Sequence, residues 1–158
     1  MTSKCGFFSF MAPEVYRSHK YSHRADIFSF GLICWFLFTG KSTNEMTREQ
    51  LQLDPSFYDY EEVTQDWNQK YPQPMEIAYL ISIKGWRPPL PADCPPCWAT
   101  MICACWKNNP EERPSSFGDI IQHLKLIMKG YSMTYPPDKE DLKFLDPSPS
   151  FTYVQPVE

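Results

Sequence analysis

Hydrophobic residues crowd into a few stretches of this chain and thin out between them. The densest stretch runs from Ile27 to Thr39, with Ile27, Phe28, Phe30, Leu32, Ile33, Trp35, Phe36, Leu37 and Phe38 around the whole circumference of a helix. The pattern predicts a helix from about Arg24 to Thr39, stopped by Gly40, the residue type expected just past a helix end. A helix that is apolar on all sides belongs inside a larger body. Residues 41–73 are polar and acidic by contrast, with aromatics at Phe57, Tyr58, Tyr60, Trp67 and Tyr71. Thr47 followed by Gln50 makes a weak capping box, so a short helix is an option there.

Apolar spacing returns in residues 75–84, where Met75, Ile77, Ala78, Leu80, Ile81 and Ile83 predict a helix ending before Gly85. The connector Pro88-Pro89-Leu90-Pro91 follows, and Pro96 opens a helix to about Lys107. A last helix starts near Ser116, with Asp119 in its first turn and Gly130 as its stop. Its Phe117, Ile120, Ile121, Leu124 and Ile127 fall on one stripe. At the other end, residues 1–11 read as irregular and lead into Ala12-Pro13-Glu14-Val15-Tyr16, a short helical turn. Residues 130–158, with five prolines and several acids, read as an extended or disordered tail. The fold class is mainly α.

Composition narrows the function classes. With 42% hydrophobic and 16% aromatic residues, the chain is too apolar for a disordered protein. A formal charge of −4 argues against a nucleic-acid surface, which needs a basic face. It also leaves no polybasic stretch for anionic lipid. The longest apolar run is about 13 residues, short of the roughly 20 that a membrane span needs. The Phe7–Ala12 apolar patch is shorter than a secretory signal core, so an intracellular, cytoplasmic location is expected. Six cysteines in that setting fit reduced thiols.

Three blocks carry a resemblance. Met11-Ala12-Pro13-Glu14 looks like the motif that closes the activation segment of protein kinases. Asp26-Ile27-Phe28-Ser29-Phe30-Gly31 is similar to the Asp-x-Trp-Ser-x-Gly opening of the central helix of the kinase C-lobe. The third block runs from Gly85-Trp86-Arg87-Pro88-Pro89 through Cys105-Trp106 to Asn109-Pro110-Glu111-Glu112-Arg113-Pro114-Ser115. In this order the blocks resemble a protein kinase, most closely the tyrosine-kinase-like group of serine/threonine kinases, over roughly residues 6–128. The implied fold is the helical C-terminal part of the C-lobe: residues 1–129 form a partial kinase domain with an insertion at about 41–73.

The resemblance implies roles. Glu14 pairs with Arg113 inside the lobe, tying the end of the activation segment to the last helices. Asp26 accepts hydrogen bonds from the catalytic-loop backbone, a scaffold role at a helix start that also suits a carboxylate. Ala12, Pro13, Gly31 and Trp106 are structural. Gly6, Phe7, Phe8, Ser9, Phe10 and Met11 form the shelf under the substrate residue that follows the phosphoacceptor. Phe7 departs from the family pattern, which has Thr in serine/threonine kinases and Pro in tyrosine kinases. A phenyl ring cannot replace the Thr hydroxyl there, which weakens the case for catalysis and blurs the substrate class.

Phosphoryl transfer needs a loop over the phosphates, a lysine, a base and metal ligands. The sequence has no Gly-x-Gly-x-x-Gly, no Val-Ala-Ile-Lys, no His-Arg-Asp with its trailing Asn and no Asp-Phe-Gly. In the family these precede the Ala-Pro-Glu motif, so the expectation is no catalytic, cofactor-binding or metal-binding residue in this chain, with Mg-ATP belonging to a complete parent domain. His23-Arg24-Ala25-Asp26 is a decoy for the catalytic loop: it has an extra residue, and Gly31 falls where the metal-binding Asn should be. Cys94 and Cys97 with Cys103 and Cys105 mimic a zinc site, yet Cys103 and Cys105 are two apart on a helix and point roughly 200° apart.

The chain therefore reads as part of a kinase whose parent phosphorylates protein Ser/Thr, or as a non-catalytic, kinase-derived binding module. The expected partners are a protein substrate or the N-terminal kinase half, with residues 41–73 as a possible protein contact. Two physical expectations follow. Deleting residues 46–70 should leave the fold intact, and the central helix should leave large apolar side chains uncovered when the chain is alone.

Overall fold

A computed structural model describes residues 8–18, 21–53 and 70–128. Its helices are α1 (Pro13–Arg17), α2 (Arg24–Thr39), α3 (Pro74–Ser82), α4 (Pro96–Cys105) and α5 (Phe117–Met128). Short 3-10 turns stand at Phe8–Phe10, Thr43–Glu45 and Pro110–Glu112, and there is no strand among the described residues. Gly6, Phe7, the aromatics Phe57, Tyr58, Tyr60 and Trp67, and the tail from Gly130 onward lie outside the described residues.

Local chemistry explains the boundaries. Three of the helices, α1, α3 and α4, begin with proline, whose missing N–H costs nothing in a first turn. α2 ends at Gly40, which adopts φ +65° and donates its N–H to the Phe36 carbonyl. Any L side chain would be strained in that conformation. α4 stops at Cys105, short of Lys107, and Trp106 turns away as its cap.

The core forms where α2 crosses α4. Ile27, Phe28, Leu32 and Trp35 of α2 are buried together with Ile102, Cys105 and Trp106. Gly31 permits the close approach, since a Cβ at that position would stand 2.9 Å from the Cys105 Cβ and 3.3 Å from the Ile102 carbonyl oxygen. Trp35 adds a polar tie, donating its indole N–H to the Pro89 carbonyl at 2.7 Å, so the proline connector is fastened along α2. α3 closes the other side with Ile77, Leu80 and Ile81 fully buried.

α2 is not covered all round. Leu37 is 71% exposed, Ile33 43% and Phe38 38%, and Phe30 and Phe36 are half-buried. The expected stripe on α5 also differs from what is seen. Ile120 is buried and Leu124 half-buried, whereas Phe117 and Ile121 are exposed and His123 takes a buried place. The helix leans on α4 through Ile120, Leu124 and His123, whose Nε2 stands 3.4 Å from the Cys97 carbonyl oxygen. Phe117 makes only an edge-on contact with Phe30, ring centres 5.7 Å apart.

Residues 41–53, the start of the expected insertion, pack into the body: Leu51 and Leu53 belong to the core, and Arg48 is buried against Glu76 of α3. Thr47 and Gln50 do exchange capping bonds, the Thr47 N–H donating to Gln50 Oε1 at 2.9 Å and the Gln50 N–H to Thr47 Oγ1 at 3.2 Å. They cap a single turn, closed by the Leu51 N–H on the Thr47 carbonyl, and no helix grows from it. Gln52 at φ 55° ends the turn in a left-handed conformation that helix cannot follow.

Candidate functional site

Of the residues singled out by sequence, Glu14 and Arg113 meet and hold the Phe8–Arg17 segment. Glu14 projects from the first turn of α1, a place where the helix dipole favours a carboxylate. Arg113 reaches it from the turn before α5, 99 positions away in sequence. Nη1 donates to Oε1 at 2.6 Å and Nη2 to Oε2 at 2.9 Å, a two-pronged pairing that only a guanidinium can make. The Arg113 side chain is fully buried, and the remaining protons of its fork are used: Nε donates to the Lys107 carbonyl at 2.8 Å, Nη1 to the Arg24 carbonyl at 2.8 Å, and Nη2 to the Asn108 carbonyl at 3.3 Å. One side chain thus fastens α1, the start of α2 and the segment after α4.

Burial alone would push the Glu14 carboxyl upward, but the Arg113 hydrogen bonds, a backbone N–H, and the charges of Arg113 and Arg17 outweigh it. The net pKa lies below the ordinary value of 4.5, so the pair is ionised at neutral pH.

A second guanidinium, Arg87, lies beneath. Among the described residues no carboxylate pairs with it, and neutral oxygens take its protons: Nε on the Trp106 carbonyl at 2.8 Å, Nη1 on the Trp86 and Ile81 carbonyls at 2.7 and 3.1 Å, and Nη2 on Asn108 Oδ1 at 2.6 Å. Burial, with Arg113 and Arg17 nearby, lowers its pKa to about 9, still above neutrality. Phe28 serves both cations, with the Arg87 guanidinium carbon 4.7 Å and that of Arg113 4.9 Å from its ring centre. The sequence blocks contain Arg87 but give no hint of this buried role.

The Phe8–Met11 stretch is pinned from two directions. Ser29 of α2 donates its hydroxyl to the Phe10 carbonyl at 2.8 Å, and Phe10 packs edge-on against Phe36 with ring centres 6.4 Å apart. Ser9, almost fully buried, donates to Asn44 Oδ1 at 2.9 Å. Phe8, Phe10 and Met11 are half-buried, while Ala12 and Pro13 are buried. Ser29 belongs to the second sequence block, whereas nothing in the sequence marks Asn44 as a holder of this stretch.

Asp26 stands exposed in the first turn of α2, and its carboxylate meets no donor among the described residues. Its neighbours do the tying there. Arg24 donates to the Pro110 carbonyl at 2.8 Å and pairs with Glu111 at 3.3 Å, and His23 Nε2 lies 2.9 Å from the Ser115 carbonyl oxygen. The His23-Arg24-Ala25-Asp26 run is therefore a helix start docked on residues 110–115.

Cys94, Cys103 and Cys105 are buried, and burial pushes the Cys94 thiol up to about 11 and Cys105 to about 12. Thiols held protonated pack as small apolar groups. Among the described residues no group of three or more His, Cys, Asp or Glu side chains is arranged to hold a metal ion. No helix among them is long and apolar enough to cross a membrane.

Comparison with known proteins bears on this arrangement. The family model "Protein tyrosine and serine/threonine kinase" matches residues 2–124. The chain is 33% identical over 140 residues to "Seven transmembrane domain-containing tyrosine-protein kinase 1" of Dictyostelium discoideum, covering 87% of this chain and 16% of that protein. It is 31% identical to "Serine/threonine-protein kinase STY46" of Arabidopsis thaliana, over 82% of this chain and 18% of that one. With "Serine/threonine/tyrosine-protein kinase HT1" of the same plant it shares 30% identity over 76% of this chain and 24% of the relative. The chain thus spans less than a quarter of the length of each of these curated relatives.

Proposed function

This chain belongs to the protein tyrosine and serine/threonine kinase family, and on that premise we propose that it serves phosphate transfer to protein hydroxyls as the anchoring, substrate-side part of a catalytic domain. The observation that carries the reading is the two-pronged Glu14–Arg113 pair, which in this role fixes the end of the activation segment to the rest of the lobe. In this role Phe8–Met11 lies along the substrate, Asp26 offers its exposed carboxylate to the backbone of a catalytic loop, and Arg87 and Arg113 hold the floor. Transfer itself requires Mg-ATP, a base and phosphate-binding groups. None of their motifs occurs in these 158 residues, so on this reading the chain binds no nucleotide alone. Serine and threonine are the favoured acceptors, because the third sequence block is most like the tyrosine-kinase-like group.

Calorimetric titration of the chain with Mg-ATP tests the nucleotide half of this reading. The expected result is no saturable heat, and a micromolar dissociation constant would overturn it. Phe7 favours a second reading, a non-catalytic binding module, because it removes the hydroxyl that a serine/threonine kinase carries there. The two separate on joining the chain behind upstream kinase segments. Phosphate transfer to a serine peptide, raised by Phe7→Thr, supports the first; silence in both forms supports the second.

A further inference from the structure

The segment after α2 does more than connect. Thr43–Glu45 forms a 3-10 turn whose Asn44 accepts the hydroxyl proton of Ser9 at 2.9 Å, from 35 positions away. Four residues on, Arg48 is clamped to α3. Nη2 donates to Glu76 Oε2 at 2.8 Å, Nη1 donates to Oε1, and both side chains are nearly inaccessible to water. The Arg48 N–H donates to the Lys70 carbonyl at 3.2 Å, so the two ends of the stretch between them are joined at its base. Glu76 is itself locked, accepting the Gln73 N–H at 3.2 Å. Leu51 and Leu53 bury their side chains immediately beyond. A rigid strut therefore runs from the α3 end of the connector to a buried hydroxyl inside Phe8–Met11.

We propose that Asn44 is a positioning residue for Phe8–Met11, and that through it the connector between α2 and α3 sets the conformation of the substrate-side segment. The functional consequence rests on the kinase reading above; the mechanical coupling does not. Ser9 is the only polar side chain of that stretch, and it is buried. Without Asn44 its hydroxyl would stay desolvated with no acceptor, a state that buried polar groups avoid. The stretch would then reopen so that the hydroxyl could reach water. Phe8–Met11 has one internal backbone bond to report this, the Met11 N–H on the Phe8 carbonyl at 3.2 Å.

Amide-resolved hydrogen exchange on the 158-residue chain tests the proposal, with no nucleotide present. Asn44→Leu keeps the bulk and removes the acceptor, and should speed exchange at Met11 by about tenfold, the value of one buried hydrogen bond. The Ser18 amide, bonded to the Glu14 carbonyl, and the Gly40 amide, bonded to the Phe36 carbonyl, should keep their rates. Ser9→Ala leaves no hydroxyl to orphan and should speed Met11 less than Asn44→Leu does, adding Ser9→Ala to Asn44→Leu should slow exchange again, and Asn44→Asp, which keeps an acceptor, should keep exchange slow. Unchanged Met11 exchange would overturn the proposal. So would equal acceleration at Met11, Ser18 and Gly40, or failure of Asn44→Leu and Ser9→Ala to fold, since each marks general stability in place of positioning. A positive Mg-ATP titration would sink the nucleotide-free reading and leave this result standing.

Discussion

Among the described residues two buried guanidinium–carboxylate pairs, Glu14–Arg113 and Arg48–Glu76, differ in what surrounds them. Arg113 is fully buried and spends its whole fork, while its partner Glu14 keeps 17% of its side chain in contact with solvent. Arg48 and Glu76 are both nearly dry, at 8% and 1% side-chain exposure, and their pair lies within the α2–α3 connection. The first pair joins residues 99 apart and fastens a segment to the body. The second joins residues 28 apart and fixes the base of a connector. Charges this dry are tolerated only when each remaining proton or lone pair finds a partner, so both pairs imply rigid surroundings. The first is rigid because backbone carbonyls converge on it, the second because Glu76 is held in the first turn of α3 and the Arg48 carbonyl accepts the Leu53 N–H.

Removing residues 46–70 breaks the second pair in the most drastic way. Leu51 and Leu53 would forfeit about 1.5–3 kcal/mol each, and a stranded Glu76 would cost about 3–5 kcal/mol more. The sum rivals the whole stability of a domain, about 5–15 kcal/mol. The deletion should therefore abolish the cooperative unfolding transition seen by circular dichroism. A retained transition would show that the connector only decorates the fold.

Acid sharpens the comparison on the side of the first pair. The Glu14 pKa is lowered in the folded chain, so its stabilisation is complete above the ordinary value of 4.5 and is lost as pH falls through the lower folded value. The stability gap between the chain and its Glu14→Gln variant, measured in urea, should shrink steadily below pH 4.5. A gap independent of pH would mean that Glu14 is not ionised against Arg113.

The smallest effect should come from a side chain that neither pair organises. Leu37 is 71% exposed on α2, so Leu37→Gln should change stability by less than about 0.5 kcal/mol. It should nonetheless reduce hydrophobic-dye binding and self-association, because Leu37 and Ile33 stand one turn apart on the same uncovered face. Unaltered dye binding would move the sticky surface elsewhere.

Much of the frame was legible from residues alone. The all-apolar run predicted α2 to its last residue because Gly40 can take a conformation that other residues avoid. Proline positions marked the starts of α1, α3 and α4 because the ring suits a first turn. The α5 stripe is narrower than its spacing predicts: periodicity gives the face of a helix but not how far a neighbour extends over it, and Phe117 and Ile121 lie beyond that reach. Glu14 and Arg113 stood out because each sits in a distinctive block. Arg48, Glu76 and Asn44 sit in no such block, and polar residues look solvated until distant chain segments enclose them. Nothing in local spacing reports a contact between positions 48 and 76.

The central claim is that the Glu14–Arg113 pair couples the Phe8–Arg17 segment to the lobe as a single energetic unit. A double-mutant cycle with Glu14→Gln, Arg113→Met and the combined variant, followed by urea denaturation, measures that coupling directly. The account predicts that the second substitution adds little to the first, with a coupling energy of about 2–3 kcal/mol. Additive losses, with coupling below about 0.5 kcal/mol, would contradict it.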